Sequence, residues 1–169
     1  AGIGIGGIGH PQLKSIRDAG FEVVALCDVD QNHAKKTYDV FPQARKYVDY
    51  RELLVAEGNK IDAVYCGTPD HTHAVITLAA LRAKKHVCCV KPLTRTLEEL
   101  KVVVDTAKAA GTATQVTASP WTGETGRRVE ELITAGVIGD VREVHLWSDR
   151  PMWPQGMRAY PQNATPVPA

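Results

Sequence analysis

Along the first two thirds of the chain, short apolar runs alternate with longer stretches in which apolar residues return every three or four positions. The runs Phe21–Cys27, Ile61–Cys66, His86–Val90 and Thr112–Val116 show little polar alternation, as strands buried on both faces do. Ala1–Ile5 reads as a strand ahead of them and Lys46–Val48 as a short one in between. The helices are marked by their ends. Asp30 precedes Gln31–Tyr38 and Asp49 precedes Tyr50–Ala56, each side chain able to cap free backbone N–H groups, and Thr96 with Glu99 forms a capping box. Behind that box Leu97, Leu100, Val103, Val104 and Ala107 recur at helical spacing until Gly111, a residue suited to the left-handed turn that ends many helices. With a further helix over Pro11–Ala19, this order predicts an α/β fold, a doubly wound and mostly parallel sheet over residues 1–117.

From about Ala118 the pattern changes. A helix near Glu124–Ala135 turns Val129, Leu132 and Ile133 inward, Gly136-Val137-Ile138-Gly139 forms a turn, and Val141–Asp149 reads as a strand. Residues 118–169 are therefore expected to begin a second α/β domain. The tail from Arg150 carries five of the ten prolines and no period, so it is not expected to fold by itself. The chain opens at Ala1-Gly2-Ile3, already inside a strand, and truncation is expected at both ends.

Composition narrows the classes. A chain of 169 residues with 44% apolar residues can bury an ordinary core. Twenty Lys and Arg against nineteen Asp and Glu leave no basic field for nucleic acid or an anionic membrane surface. No stretch approaches the roughly 18 apolar residues of a membrane helix and no leader precedes the first strand, so a cytoplasmic location is expected. Cys27, Cys66, Cys88 and Cys89 lie in apolar runs without paired spacing, and read as reduced core thiols. His71 and His73, two residues apart at the opening of a helix, point in different directions and no acid or cysteine completes a ligand set, so no metal is expected.

The candidate chemistry begins at Gly4-Ile5-Gly6-Gly7-Ile8-Gly9, a G-x-G-x-x-G between a strand and a helix. In that setting the first glycine permits a tight turn, the second lets a pyrophosphate approach the backbone, and the third packs helix against strand. Gly4, Gly6, Gly7, Ile8 and Gly9 are thus candidate phosphate contacts. Asp28 ends the next strand, nineteen residues past Gly9. A carboxylate there can accept both hydroxyls of an adenosine ribose and repels a 2′-phosphate, while Val29, Asp30 and Gln31 offer no cation to counter it. NAD is the expected cofactor.

Two further polar segments follow strand ends, Cys66-Gly67-Thr68-Pro69-Asp70-His71-Thr72-His73 and Val90-Lys91-Pro92. Ligands bind at that edge of an open α/β sheet. Taken in order with the glycine loop and Cys27-Asp28, these residues resemble the glucose-fructose oxidoreductase/inositol dehydrogenase/MocA family of NAD(P)-dependent oxidoreductases, from Gly2 to about Trp153. The resemblance implies a Rossmann cofactor domain. It lays the Thr-Pro-Asn/Asp-x-x-His stretch along the cofactor, which makes Thr68, Pro69, Asp70 and His73 candidate contacts, with His73 either fixing the loop or lying near the cofactor. It also makes Lys91 the principal lysine of a Glu-Lys-Pro motif, both catalytic and cofactor-facing, with Pro92 holding the turn through a cis bond. An ammonium there can hydrogen-bond a substrate hydroxyl and stabilise the oxyanion that precedes hydride loss.

The chain departs from the family at Val90, where the motif has glutamate, which puts catalysis in question. Nothing matches the family's Gly-Asp-x-x-x-x-His motif either. Gln115, at the end of the sixth strand, either meets the nicotinamide or substrate or is a plain strand-end glutamine. Trp147 and Trp153 suit sugar stacking or packing against another part of the protein.

The expected function is the NAD-binding part of an oxidoreductase that moves hydride between NAD and a sugar, polyol or related hydroxyl compound. Its partners would be that small molecule and further copies of the full-length protein. By itself this chain should bind NAD without turnover. An NAD-dependent glycosidase of the same fold and a non-catalytic nucleotide-binding module are the alternatives.

Overall fold

A computed structural model describes residues 1–117 and 123–147. Six parallel strands form one sheet: β1 (Gly2–Ile3), β2 (Ala25–Cys27), β3 (Arg45–Tyr47), β4 (Ala63–Cys66), β5 (His86–Val90) and β6 (Thr114–Thr117), in the order β3-β2-β1-β4-β5-β6. Between them run α1 (Gly9–Asp18), α2 (Lys35–Val40), α3 (Tyr50–Glu57), α4 (His73–Arg82, entered through a 3-10 turn at Asp70–Thr72) and α5 (Leu97–Ala110). This is the doubly wound Rossmann order, with its switch point between β1 and β4. The chain divides into two compact units, one running to Ala118 and the other from Ser119.

Alternation along each strand sorts the core into two layers. Leu26, Tyr65 and Val90 face Leu13 of α1 and Tyr38 of α2. Ala25, Cys27, Val64, Cys66, Val87 and Cys89 face Leu53 of α3, Ala80 and Leu81 of α4 and Val103 of α5. Interior strands are apolar on both faces for this reason, whereas Thr114 and Gln115 on the outermost β6 are exposed.

The expected caps form. Asp49 accepts from the Arg51 N–H (2.8 Å), Thr96 from the Glu99 N–H (3.2 Å), and Gly111 closes α5 at φ +68°. The Glu99 carboxylate reaches back to the Arg95 N–H (2.8 Å), one residue before the cap.

Several boundaries differ from the sequence pattern. β1 has two residues rather than five, because Gly4 at φ +74° turns the chain out of the sheet. β2 starts at Ala25 and not at Phe21, since its neighbour β3 begins opposite Ala25 and Phe21 is exposed. α2 starts at Lys35 and not at Gln31. Asp30 caps the preceding turn instead, accepting from Asn32 (3.0 Å) and His33 (2.9 Å).

In the second unit α6 (Glu124–Thr134) forms as expected, but Val129, Leu132 and Ile133 are each at least 40% exposed rather than inward. The strand expected over Val141–Asp149 does not form across 141–147, and 148 and 149 lie outside the described residues. A strand needs a neighbour to pair its backbone groups, and no described strand pairs with 141–147. The proline-rich tail and Trp153 also lie outside the described residues. Among the described residues no helix is long and apolar enough to cross a membrane.

Candidate cofactor-binding site

Backbone contacts shape the loop after β1. A Cβ at Gly4 would lie 2.4 Å from the Thr68 nitrogen, so the loops leaving β1 and β4 touch main chain to main chain. A Cβ at Gly9 would lie 2.3 Å from the Gly4 carbonyl, which brings the start of α1 down onto the strand end. Gly7 and Ile8 are exposed at that start. α1 has no acidic residue in its first turn and no side-chain cap, so none of its own acids competes for the positive end of the helix. At Gly6 the neighbour is a side chain, the His33 ring, 2.0 Å from where a Cβ would sit.

Two side chains hold this loop from beneath. Asp28, half-buried after β2, accepts the Ile5 N–H (2.9 Å) and the Gly6 N–H (3.1 Å) on Oδ2, and the Asp30 N–H (3.0 Å) on Oδ1. A carboxylate has about four acceptor positions, so roughly one stays available to a ligand. Thr37, buried on α2, donates to the Ile5 carbonyl (2.6 Å) and accepts from His10 Nδ1 (3.1 Å). Sequence reasoning missed Thr37. Its only signal was a hydroxyl on the helix face that buries Ala34, Tyr38 and Phe41.

The edge beyond β4 and β5 is built around His73. Thr68 is half-buried, and Pro69 and Asp70 are exposed. His73, 1% exposed, stands between two loops, with Nδ1 2.6 Å from the Pro92 carbonyl and Nε2 2.6 Å from the Thr68 carbonyl. Both ring nitrogens are engaged, so His73 fixes the loops. Lys91 is exposed at the end of β5 and joined to Pro92 by a cis peptide bond. Val90, 8% exposed, packs in the layer that holds Ile5 and Leu13. Gln115 does not join this group. The register sets it opposite Cys88 at the second residue of β6, short of the strand end where it was expected, because β6 runs on to Thr117, which pairs with Val90.

The four cysteines are free, with Cys27, Cys66 and Cys89 buried and Cys88 half-buried. Cys66 and Cys89 are register partners on adjacent strands, and their sulfur atoms and a His73 nitrogen all lie within 4.8 Å of one another. Cysteines do therefore accompany His73, brought there by strand pairing and not by sequence spacing. A cavity of about 110 Å³ touches Cys89 and lies under α4 and α5, away from the glycine loop.

The family model for GFO/IDH/MocA, an oxidoreductase family with an NAD-binding Rossmann fold, matches residues 1–118. The chain belongs to this family. Residues 1–118 thus match the NAD-binding Rossmann fold of that family. The chain is 32% identical over 112 residues to inositol 2-dehydrogenase of Salmonella typhimurium, covering 64% of this chain and 33% of the enzyme. It is 34% identical over 127 residues to 1,5-anhydro-D-fructose reductase of Ensifer adhaerens, covering 75% of this chain and 38% of the enzyme. An inositol dehydrogenase homologue from Azotobacter vinelandii, solved with NAD+, superposes with a TM-score of 0.69 at 31% identity, over 83% of this chain and 39% of that one. The chain spans about a third to two fifths of the length of these relatives.

Proposed function

We propose that this GFO/IDH/MocA domain selects NAD over NADP and serves as the cofactor half of an oxidoreductase that transfers hydride between NAD and a sugar, polyol or related hydroxyl compound. The observation that carries the reading is the position of Asp28, hydrogen-bonded to the glycine loop beside an uncapped helix start. A pyrophosphate would take the N–H groups of Gly7 and Ile8, and a ribose the remaining acceptor position of Asp28, where a 2′-phosphate would meet a carboxylate. Thr68, Pro69 and Asp70 would line the cofactor, and His73 would act on it through the loops it joins. Calorimetry of this chain with NAD and NADP tests the preference, and equal affinity for the two would refute it.

When bound, the nicotinamide supplies a carbon that takes up or releases hydride. Lys91 would hold the substrate hydroxyl and stabilise negative charge developing on its oxygen. The substrate class draws support from the relatives, which are named for inositol and anhydrofructose. The exposed Val129, Leu132 and Ile133 fit a helix at the start of a substrate domain, residues 118–169, that packs against further structure. A small-molecule substrate, self-association of the full-length protein and a cytoplasmic location belong to the same proposal.

Val90 supports a second reading. Its burial leaves an apolar side chain where the family motif has a carboxylate, which suits a non-catalytic nucleotide-binding module. A Lys91→Ala variant of the full-length protein separates the two: loss of turnover with NAD binding retained supports the enzyme, and absence of turnover even in the wild type supports the module.

A further inference from the structure

The four cysteines are not equivalent. Cys27 sits alone in the core and Cys88 faces the opposite side of the sheet from Cys66 and Cys89. Cys66 and Cys89 are register partners, one residue before Gly67 and two before Lys91, and α4 places His73 against both.

Hydrogen-bond capacity decides the state of this cluster. A neutral imidazole carries one N–H and one lone pair, yet both His73 nitrogens face carbonyl oxygens at 2.6 Å. Only a ring with hydrogen on both nitrogens serves both acceptors, and such a ring is a cation with no lone pair for a metal. A buried cation needs a nearby negative charge. Among the described residues the cluster around His73 holds the two sulfur atoms, within 4.8 Å, and no carboxylate.

One hydroxyl lies against those sulfurs. Thr68 Oγ1 is 3.5 Å from the Cys66 sulfur, and the Thr72 hydroxyl has both Thr68 Oγ1 (2.7 Å) and the Pro69 carbonyl (2.8 Å) in reach. The single Cys89 S–H has two acceptors within reach, the Cys66 sulfur and the Val90 carbonyl at 3.3 Å. The Cys89 thiol, the Thr68 hydroxyl and the His73 charge hold the Cys66 thiol below its ordinary range, against the effect of burial. The Cys66 hydrogen bond and desolvation push Cys89 up, and burial raises both Cys27 and Cys88.

We propose that Cys66 and Cys89 form a peroxide-sensitive dithiol, with Cys66 as the reactive thiolate paired to His73 and Cys89 as the resolving thiol. The thiolate attacks one oxygen of a hydroperoxide and the O–O bond breaks. With hydrogen peroxide the leaving hydroxide takes the extra ring proton of His73 and departs as water, and Cys66 becomes a sulfenic acid. The Cys89 sulfur then attacks the Cys66 sulfur. Its proton leaves with the hydroxyl as a second water, the S–O bond breaks and the S–S bond forms. Two thiols have lost two electrons, and the peroxide has gained them.

Access limits the oxidant to something small. Both thiols are buried. The cavity of about 110 Å³ walled by Thr77, Leu93, Val103 and Val116 is lined by Cys89 and not by Cys66, so the oxidant must pass the Cys89 side chain to reach the Cys66 sulfur within 4.8 Å of it. That space admits a molecule close to water in size and excludes a bulky aromatic disulfide. The site stands on these thiol contacts alone and does not depend on which nucleotide the glycine loop takes.

The test is peptide mapping of the folded wild-type chain after hydrogen peroxide, with remaining thiols blocked in denaturant. A peptide pair joined through Cys66 and Cys89 is expected, with Cys66 oxidised at least about tenfold faster than Cys27 or Cys88. Cys88→Ala should keep the link, which separates Cys88 from Cys89 on one peptide. Cys89→Ala should leave a sulfenic acid on Cys66 that dimedone traps when it is present as the peroxide-treated chain is denatured. The proposal is overturned if the folded wild type forms no Cys66–Cys89 link in excess peroxide. It is equally overturned if Cys27 and Cys88 oxidise as fast as Cys66.

Discussion

Asp28 accepts the backbone N–H of Ile5 at 2.9 Å, so the acid assigned to a cofactor ribose is also a brace for the loop that would hold the cofactor phosphates. Its two roles separate by substitution. Asp28→Asn keeps an acceptor oxygen for the loop but loses the charge and the acceptor for the Asp30 N–H, and should narrow the NAD-to-NADP affinity ratio with a smaller drop in melting temperature than Asp28→Ala. Asp28→Ala removes both, and should lower stability by about 1–3 kcal/mol and weaken NAD as well. Calorimetry and thermal melts of the two variants check this. An alanine variant with wild-type NAD affinity would show that the acid is not part of the site.

Thr37 offers a test of the same loop from its other side. Thr37→Val matches the shape but leaves the Ile5 carbonyl and His10 Nδ1 without their partner. We expect a loss of about 1–3 kcal/mol in urea unfolding and weaker NAD binding, with Thr37→Ser close to wild type. Equal stability of the valine and serine variants would contradict the assignment.

The glycines should not be interchangeable. Gly111 has φ +68° and nothing within 4 Å of a Cβ, so Gly111→Ala should cost only the roughly 1–2 kcal/mol of a left-handed alanine. Gly4 has φ +74° and a Thr68 nitrogen 2.4 Å from the Cβ position. Gly4→Ala should cost clearly more and also abolish NAD binding. Parallel denaturation curves compare the two.

Acid should act on one buried carboxylate. Glu57, 1% exposed at the end of α3, accepts hydrogen bonds from Arg45 of β3 and from the Tyr47 hydroxyl (2.5 Å). The Arg45 bond first, and the Tyr47 bond second, lower its carboxyl from 4.5 to about 2. A lowered acid stabilises the fold above its unfolded value and loses that contribution as pH falls from about 4.5 towards 2. Urea midpoints of wild type and Glu57→Gln should therefore differ most near neutrality, draw together below about pH 4.5 and converge near pH 2. A constant gap across that window would exclude the ionised carboxylate as the cause.

Much of the fold was legible because it depends on local rules. The alternation of apolar runs and capped helices follows from backbone hydrogen bonding and side-chain periodicity, and Asp49, Thr96 and Gly111 cap where their chemistry says they should. Boundaries were less legible, because a strand ends where its neighbour ends: β2 waits for Arg45, and 141–147 lack a described partner altogether. The glycine loop and Asp28 could be read because each is tied to a strand end along one short stretch of chain.

The linear order of residues was enough to predict a parallel α/β domain and to single out the glycine loop and Asp28, the acid that hydrogen-bonds it. It could not show Thr37 beneath Ile5, His73 between Thr68 and Pro92, or Cys66 beside Cys89. Those contacts join residues on different elements. Strand register and helix docking bring them together, and both depend on packing summed over the whole sheet. Separation along the chain carries no record of that sum.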